Sequence, residues 1–220
     1  MPSTLSPHTQ SATMPGMARL AYPDVIPVPE SVRFPVELEP PAGFRADDPT
    51  TWPPAEGRLE WVGGRLFFMP PCGGVQQAVA IDVAVILRTW SEGHPEFLVG
   101  GNEAGMLLGG DVRAAEAAVW EWARVGRLTD HYLRVPPVLA VEVAGREENE
   151  PALRAKARWY IDHGVCGVWL VLPRSRDVVV LTAAGSDSRH RSGEALPPVA
   201  ALPGLAPQVD RFFAQLRRSR

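Results

Sequence analysis

Between residues 75 and 90 the apolar side chains Val75, Val79, Val83, Ile86, Leu87 and Trp90 recur at helical spacing, which predicts an amphipathic helix. Ahead of it, two short apolar runs at 59–62 and 65–69 flank Gly63-Gly64, the pattern of a β-hairpin. Behind it, three strand-like runs at 97–99, 106–108 and 116–120 are separated by glycine-rich stretches, and a further strand is predicted over 138–144. Asn149 and Pro151 open a second helix with a cap-and-proline signature, Glu147, Glu148 and Glu150 sit at its positive end, and Gly164 closes it. Runs at 167–172 and 178–181 read as two more strands, and 209–216 as a short terminal helix. The order ββ-α-ββββ-α-ββ predicts a mixed α/β sheet with two main helices and no internal repeat.

Residues 1–55 are rich in proline and polar residues without sustained periodicity, so they are expected to be disordered or loosely packed. One domain over 56–216 and a basic tail, 217–220, account for the rest. The formal charge of -3 provides no global basic field for nucleic acid, so any such site must be local. Cys72 and Cys166 lie far apart with no metal-binding spacing and read as free thiols of a reducing compartment. Without an apolar run long enough to span a bilayer, or a charged-then-apolar start, a cytoplasmic protein is expected.

Composition changes the picture at one residue. The chain has twenty-one arginines and a single lysine, Lys156, which falls within the apolar stripe of the second helix beside Trp159, Tyr160, Leu153 and Ala157. An ammonium differs from a guanidinium where a compact point charge is needed. The alternative is a lysine that snorkels to the stripe's edge. On the preceding strand, alternation places Glu142 on one face with Val138, Ala140 and Ala144, a carboxylate inside a core-like strand that must be paired, hydrated or metal-bound. Glu116 sits similarly beside Ala118 and Trp120, with Asp111 and Glu121 flanking its strand. Two carboxylates and one ammonium suit a Mg²⁺ site in which the lysine positions a water; a structural ion pair is the competing reading. The five histidines show no ligand spacing, and neither a phosphate-binding GK[ST] loop nor a GxSxG elbow is present.

Several segments together resemble the Uma2-type restriction endonuclease family of the PD-(D/E)XK nuclease superfamily. They are Glu60-Trp61-Val62-Gly63-Gly64-Arg65-Leu66, Val112-Arg113-Ala114-Ala115-Glu116-Ala117-Ala118-Val119, Leu139-Ala140-Val141-Glu142-Val143, the stretch 156–160, Val168-Trp169-Leu170-Val171 and Pro203-Gly204-Leu205. The resemblance spans roughly residues 56–216. It implies a restriction-endonuclease-like mixed β-sheet core flanked by two main helices, with an N-terminal β-hairpin. It also implies a Mg²⁺-dependent (alternatively Mn²⁺-dependent) endonuclease acting on DNA, with Glu116 and Glu142 as metal ligands and Lys156 orienting the nucleophile. A homodimer is compatible with it. Glu60 and Asp111 are accessory candidates. The chain departs from the family pattern at Glu116, where an aspartate is usual, and at the start of the first helix, where Gly73-Gly74-Val75-Gln76 replaces a frequent histidine. A nuclease fold that binds nucleic acid or protein without cleaving is the alternative.

Overall fold

The structure is a computed structural model that describes residues 34–146 and 148–218, with the side chains of the last two outside the description. Expectations for residues 1–33, Glu147 and the basic tail's side chains lie outside the described residues. Nine strands form one sheet. β1 (Val36–Leu38) pairs with β3 (Arg65–Met69), which forms the expected hairpin with β2 (Arg58–Val62). Gly63 and Gly64, at φ 57° and 77°, supply the left-handed turn that this hairpin requires.

The first helix, α1 (Gly74–Ser91), buries Val79, Val83, Ile86 and Leu87 of the predicted face, while Val75, in its first turn, is exposed. The three glycine-separated runs that follow are instead two long strands, β4 (Phe97–Leu108) and β5 (Asp111–Glu121), paired along their length. The glycines within β4 are packing requirements rather than turns. A Cβ on Gly100 would lie 2.8 Å from the Trp120 ring, and one on Gly105 would lie 2.8 Å from that of Tyr132. The true turn is Gly109-Gly110, both at positive φ.

A single helical turn, α2 (Trp122–Val125), leads towards β6 (Leu139–Val143). The second main helix is α3 (Glu150–Asp162), capped as predicted by the Asn149 side chain, which accepts from the Ala152 N–H at 2.9 Å. It connects β6 to β7 (Gly167–Leu172), the parallel pair of the sheet. β8 (Asp177–Thr182) and β9 (Asp187–His190) finish the sheet antiparallel. The expected terminal helix is two 3-10 segments, Val209–Phe213 and Gln215–Arg218; the first buries Val209, Phe212 and Phe213.

Residues 34–55, expected to be disordered or loosely packed, are exposed or half-buried throughout. Besides β1, an aromatic chain from Trp61 through Phe44 and Trp52 to Tyr132, with centroids 5.0–5.6 Å apart, anchors this non-periodic stretch. Such anchoring leaves no period-two or 3.6 signal, which is why the pattern does not reveal it.

The sheet has a core on each face. α1 and the C-terminal 3-10 segment cover Ala117, Val119, Leu139, Val141 and Val143. α3 covers the other face, against Ala118, Trp120, Ala140 and Leu170. The arrangement around β5 positions the site. β4 covers one edge of β5, while the other edge is shared between β2, which reaches it at Val112, and β6, which takes it from Ala117 to Val119. Between these contacts, residues 113–116 have no strand on that edge among the described residues.

Candidate active site

At this gap in the sheet the backbone of Ala114 needs partners, because a buried N–H or C=O left unpaired is costly. Side chains supply them. The Ala114 N–H donates to Glu60 Oε1 at 3.3 Å, and its carbonyl accepts from Lys156 Nζ at 2.9 Å. Lys156 also contacts Glu142 at 2.9 Å on Oε1 and 3.0 Å on Oε2, and Glu60 Oε1 at 3.1 Å. Its ammonium is thus surrounded by three acceptor groups. Tyr160, one helical turn along α3, donates its hydroxyl to Glu142 Oε1 at 2.6 Å. All four of these side chains sit deep, with exposures of 3% for Glu60, 2% for Glu142, 8% for Lys156 and 0% for Tyr160.

Glu116 forms the second half. Its Oε1 accepts from Gln76 Nε2 at 3.0 Å and faces Arg58 Nη1 at 3.4 Å. The Gln76 amide also donates to the Val143 carbonyl at 3.0 Å, tying the first turn of α1 to the end of β6. Arg113 completes the cluster, donating to Glu60 Oε2 at 3.2 Å and lying over the Trp159 ring. Three cations, Arg58, Arg113 and Lys156, therefore meet three carboxylates, Glu60, Glu116 and Glu142. A cavity of about 250 Å³ lined by Arg58, Arg113 and Ala114, with Trp52, Glu103 and Tyr132, opens beside them.

The ionisation of the carboxylates differs by neighbourhood. Burial pushes the Glu60 carboxyl up, but Lys156, Arg58 and Arg113 outweigh it and hold the group at about 2. Glu116 moves the other way: burial, reinforced by the charge of Glu142, raises it above the usual carboxylate range, with Arg58 and Lys156 offsetting only part. Burial and the Glu142 charge push the Tyr160 phenol well up, so it is a neutral donor.

The match to known proteins decides the family. A family model described as "Putative restriction endonuclease", Uma2, matches residues 46–211. The chain belongs to the Uma2 family. The crystal structure of a protein described as a "putative nuclease belonging to DUF820" from Anabaena variabilis ATCC 29413 superimposes with a TM-score of 0.68 at 17% identity. It covers 79% of this chain and 99% of that one, which shows a shared fold. No curated protein matches significantly.

Of the site residues expected in this Uma2 chain, Lys156, Glu142 and Glu60 are in direct contact, and Glu116 joins them through Arg58 and electrostatically through Glu142 and Lys156. Asp111 stands apart. It accepts from the Gly63 N–H at 2.8 Å and the Trp159 indole at 2.9 Å, tying the hairpin turn to α3. Arg58, Gln76, Arg113 and Tyr160 are additional members. Tyr160 was legible as Lys156's i+4 neighbour on the apolar stripe, and Arg58 as the residue two before Glu60 on the same strand face. Gln76 had a signal only as the polar residue where the family often carries histidine.

Among the described residues no group of three or more His, Cys, Asp or Glu could hold a metal ion. A site for Mg²⁺ needs fewer, since this ion is held by one or two carboxylates and keeps several waters. The donors present are of the required hard type. Glu116 Oε1 and the Val143 carbonyl already converge on one nitrogen, and Glu142 retains acceptor capacity beyond its bonds to Lys156 and Tyr160. The residues fit such an ion.

Proposed function

We propose that this protein is a metal-dependent endonuclease that hydrolyses DNA phosphodiester bonds. The observation that carries the reading is the buried contact of the chain's lone lysine with Glu142, beside a second carboxylate, at the uncovered stretch of β5. Membership of a family described as a restriction endonuclease supports the substrate class. Glu116 and Glu142 would hold Mg²⁺, with Mn²⁺ as the alternative, and the Val143 carbonyl shares its partner, the Gln76 amide, with Glu116. When bound, the ion supplies an activated water and charge for the phosphate oxygens. Lys156, held between Glu142 and Glu60, orients the attacking water and stabilises charge developing at the phosphorus. Tyr160 fixes the Glu142 carboxylate, and Arg58 and Arg113 line the cavity through which a phosphate reaches it. Cutting both strands of a duplex would call for two copies of the chain.

One observation favours a second reading, a module that binds nucleic acid or protein without cleaving. Arg58 beside Glu116 makes the cluster charge-balanced before any ion enters. Supercoiled plasmid titrated with Mg²⁺ and with Mn²⁺ separates the two. Nicking by the wild type that disappears in Glu142→Ala and Lys156→Ala supports the nuclease. Equal background in all three proteins with both ions would leave the binding module.

A further inference from the structure

Resting on the metal-dependent reading above, we propose that Gln76 occupies the cation position of the site, so that the ion enters only by displacing this side chain. The amide nitrogen lies 3.0 Å from Glu116 Oε1 and 3.0 Å from the Val143 carbonyl oxygen. Both partners only accept, so the NH₂ end of the amide must face them. It does what a cation there would do, joining a carboxylate of β5 to a carbonyl at the end of β6. Mg²⁺ needs its oxygens at about 2.0–2.1 Å, so ion and amide cannot share the point.

The rest of the side chain is placed to permit this. The Gln76 carbonyl oxygen stands 3.0 Å from where a Cβ on residue 145 would be, and residue 145 is glycine. A Cβ there would require the amide oxygen to give by a few tenths of an ångström. Arg58 also faces Glu116 Oε1, at 3.4 Å, but its guanidinium is shared with the buried Glu60 at 3.8 Å, whereas the second partner of Gln76 is the Val143 carbonyl, itself an oxygen the ion could take. Gln76 is half-buried in the first turn of α1, neutral and flexible, so rotation into solvent is the low-cost route by which the point is vacated.

A competitor and a structural strut differ in sign. If Gln76 competes, its removal tightens ion binding; if it merely braces Glu116, removal weakens it. Mn²⁺ binding to the full chain, followed by the loss of the free-ion EPR signal, reads the difference in wild type, Gln76→Ala, Gln76→Glu and Glu116→Gln. Gln76→Ala should bind about tenfold tighter, the equivalent of about 1.4 kcal/mol for one lost charge-assisted bond. Gln76→Glu should bind tighter still, while melting at a lower temperature without the ion because two carboxylates then face each other. Glu116→Gln should abolish the binding. Wild-type binding that depends on Glu116 but is unchanged or weakened in Gln76→Ala overturns this inference and leaves the metal-dependent reading intact. No Glu116-dependent binding in wild type or in either Gln76 variant overturns both. Should Gln76→Ala fail to fold by circular dichroism, the comparison of Gln76→Glu with wild type decides alone, and equal affinity overturns the proposal.

Discussion

The two carboxylates at the gap in the sheet live in different surroundings. Glu142 lies on a central strand, held by an ammonium and a phenol that come from one helix, and all three are buried. Glu116 lies on the partly uncovered edge of β5, held by a guanidinium from β2 and an amide from α1, and its carboxyl is raised rather than stabilised as the anion. The β6–α3 half is therefore a satisfied structural unit. In the β5–β2–α1 half the tension sits on Glu116 alone, which agrees with the proposal that this carboxylate takes a cation. Stability and activity should accordingly separate between the halves.

The largest effect is expected where a buried charge loses its partner. Glu142→Ala and Lys156→Ala should each lower the unfolding free energy by about 3–5 kcal/mol in urea titrations and abolish nicking. The double variant Glu142→Leu, Lys156→Met should recover much of that stability without recovering activity. If the double variant is as unstable as either single one, Glu142 and Lys156 are not a self-contained pair.

Next comes Tyr160→Phe, which removes one hydrogen bond to a charged group and should cost about 1.5–3 kcal/mol in the same titration. Glu60→Gln sharpens the comparison through pH. Its carboxyl is held at about 2 against an ordinary 4.5, so ionised Glu60 stabilises the fold fully above pH 4.5 and progressively less as pH falls towards 2. Acid melts of Glu60→Gln should lose that part of the slope.

The smallest stability effect is expected at Glu116. With its carboxyl raised, ionisation opposes folding above the raised value, and the cost is relieved as pH falls through it. Glu116→Gln should thus be near neutral in stability at pH 7, within about 1 kcal/mol, and slightly flatten the pH dependence, yet eliminate nicking. A loss of stability as large as that of Glu142→Ala would erase the distinction between the halves.

Much of the β6–α3 half was readable in the chain, because its signals are local and periodic. Alternation set the Glu142 face, helical spacing put Lys156 and Tyr160 on one stripe, and Asn149 and Pro151 marked where that stripe begins. The other half was less so. Arg58, Glu60, Gln76 and Glu116 come from three elements joined by no common period, and only tertiary pairing makes them neighbours. The same reason hid the long β4–β5 hairpin, where glycines chosen for contact with Trp120 and Tyr132 imitate turns. Asp111, a carboxylate at the start of the site strand, holds a hairpin turn and an indole, contacts that alternation along the strand does not signal.

The unshared stretch of β5 also bears on the order in which the molecule assembles. Ala114 finds its N–H acceptor 54 residues earlier, on Glu60, and its carbonyl donor 42 residues later, on Lys156. Such distant contacts form late, after the loops between them have closed. On a growing chain, β5 emerges with its hairpin partner already made but waits for α3 before this carbonyl is satisfied. Lys156 thus arrives as the piece that closes this gap, and the cluster around it is complete only once α3 has packed onto the sheet.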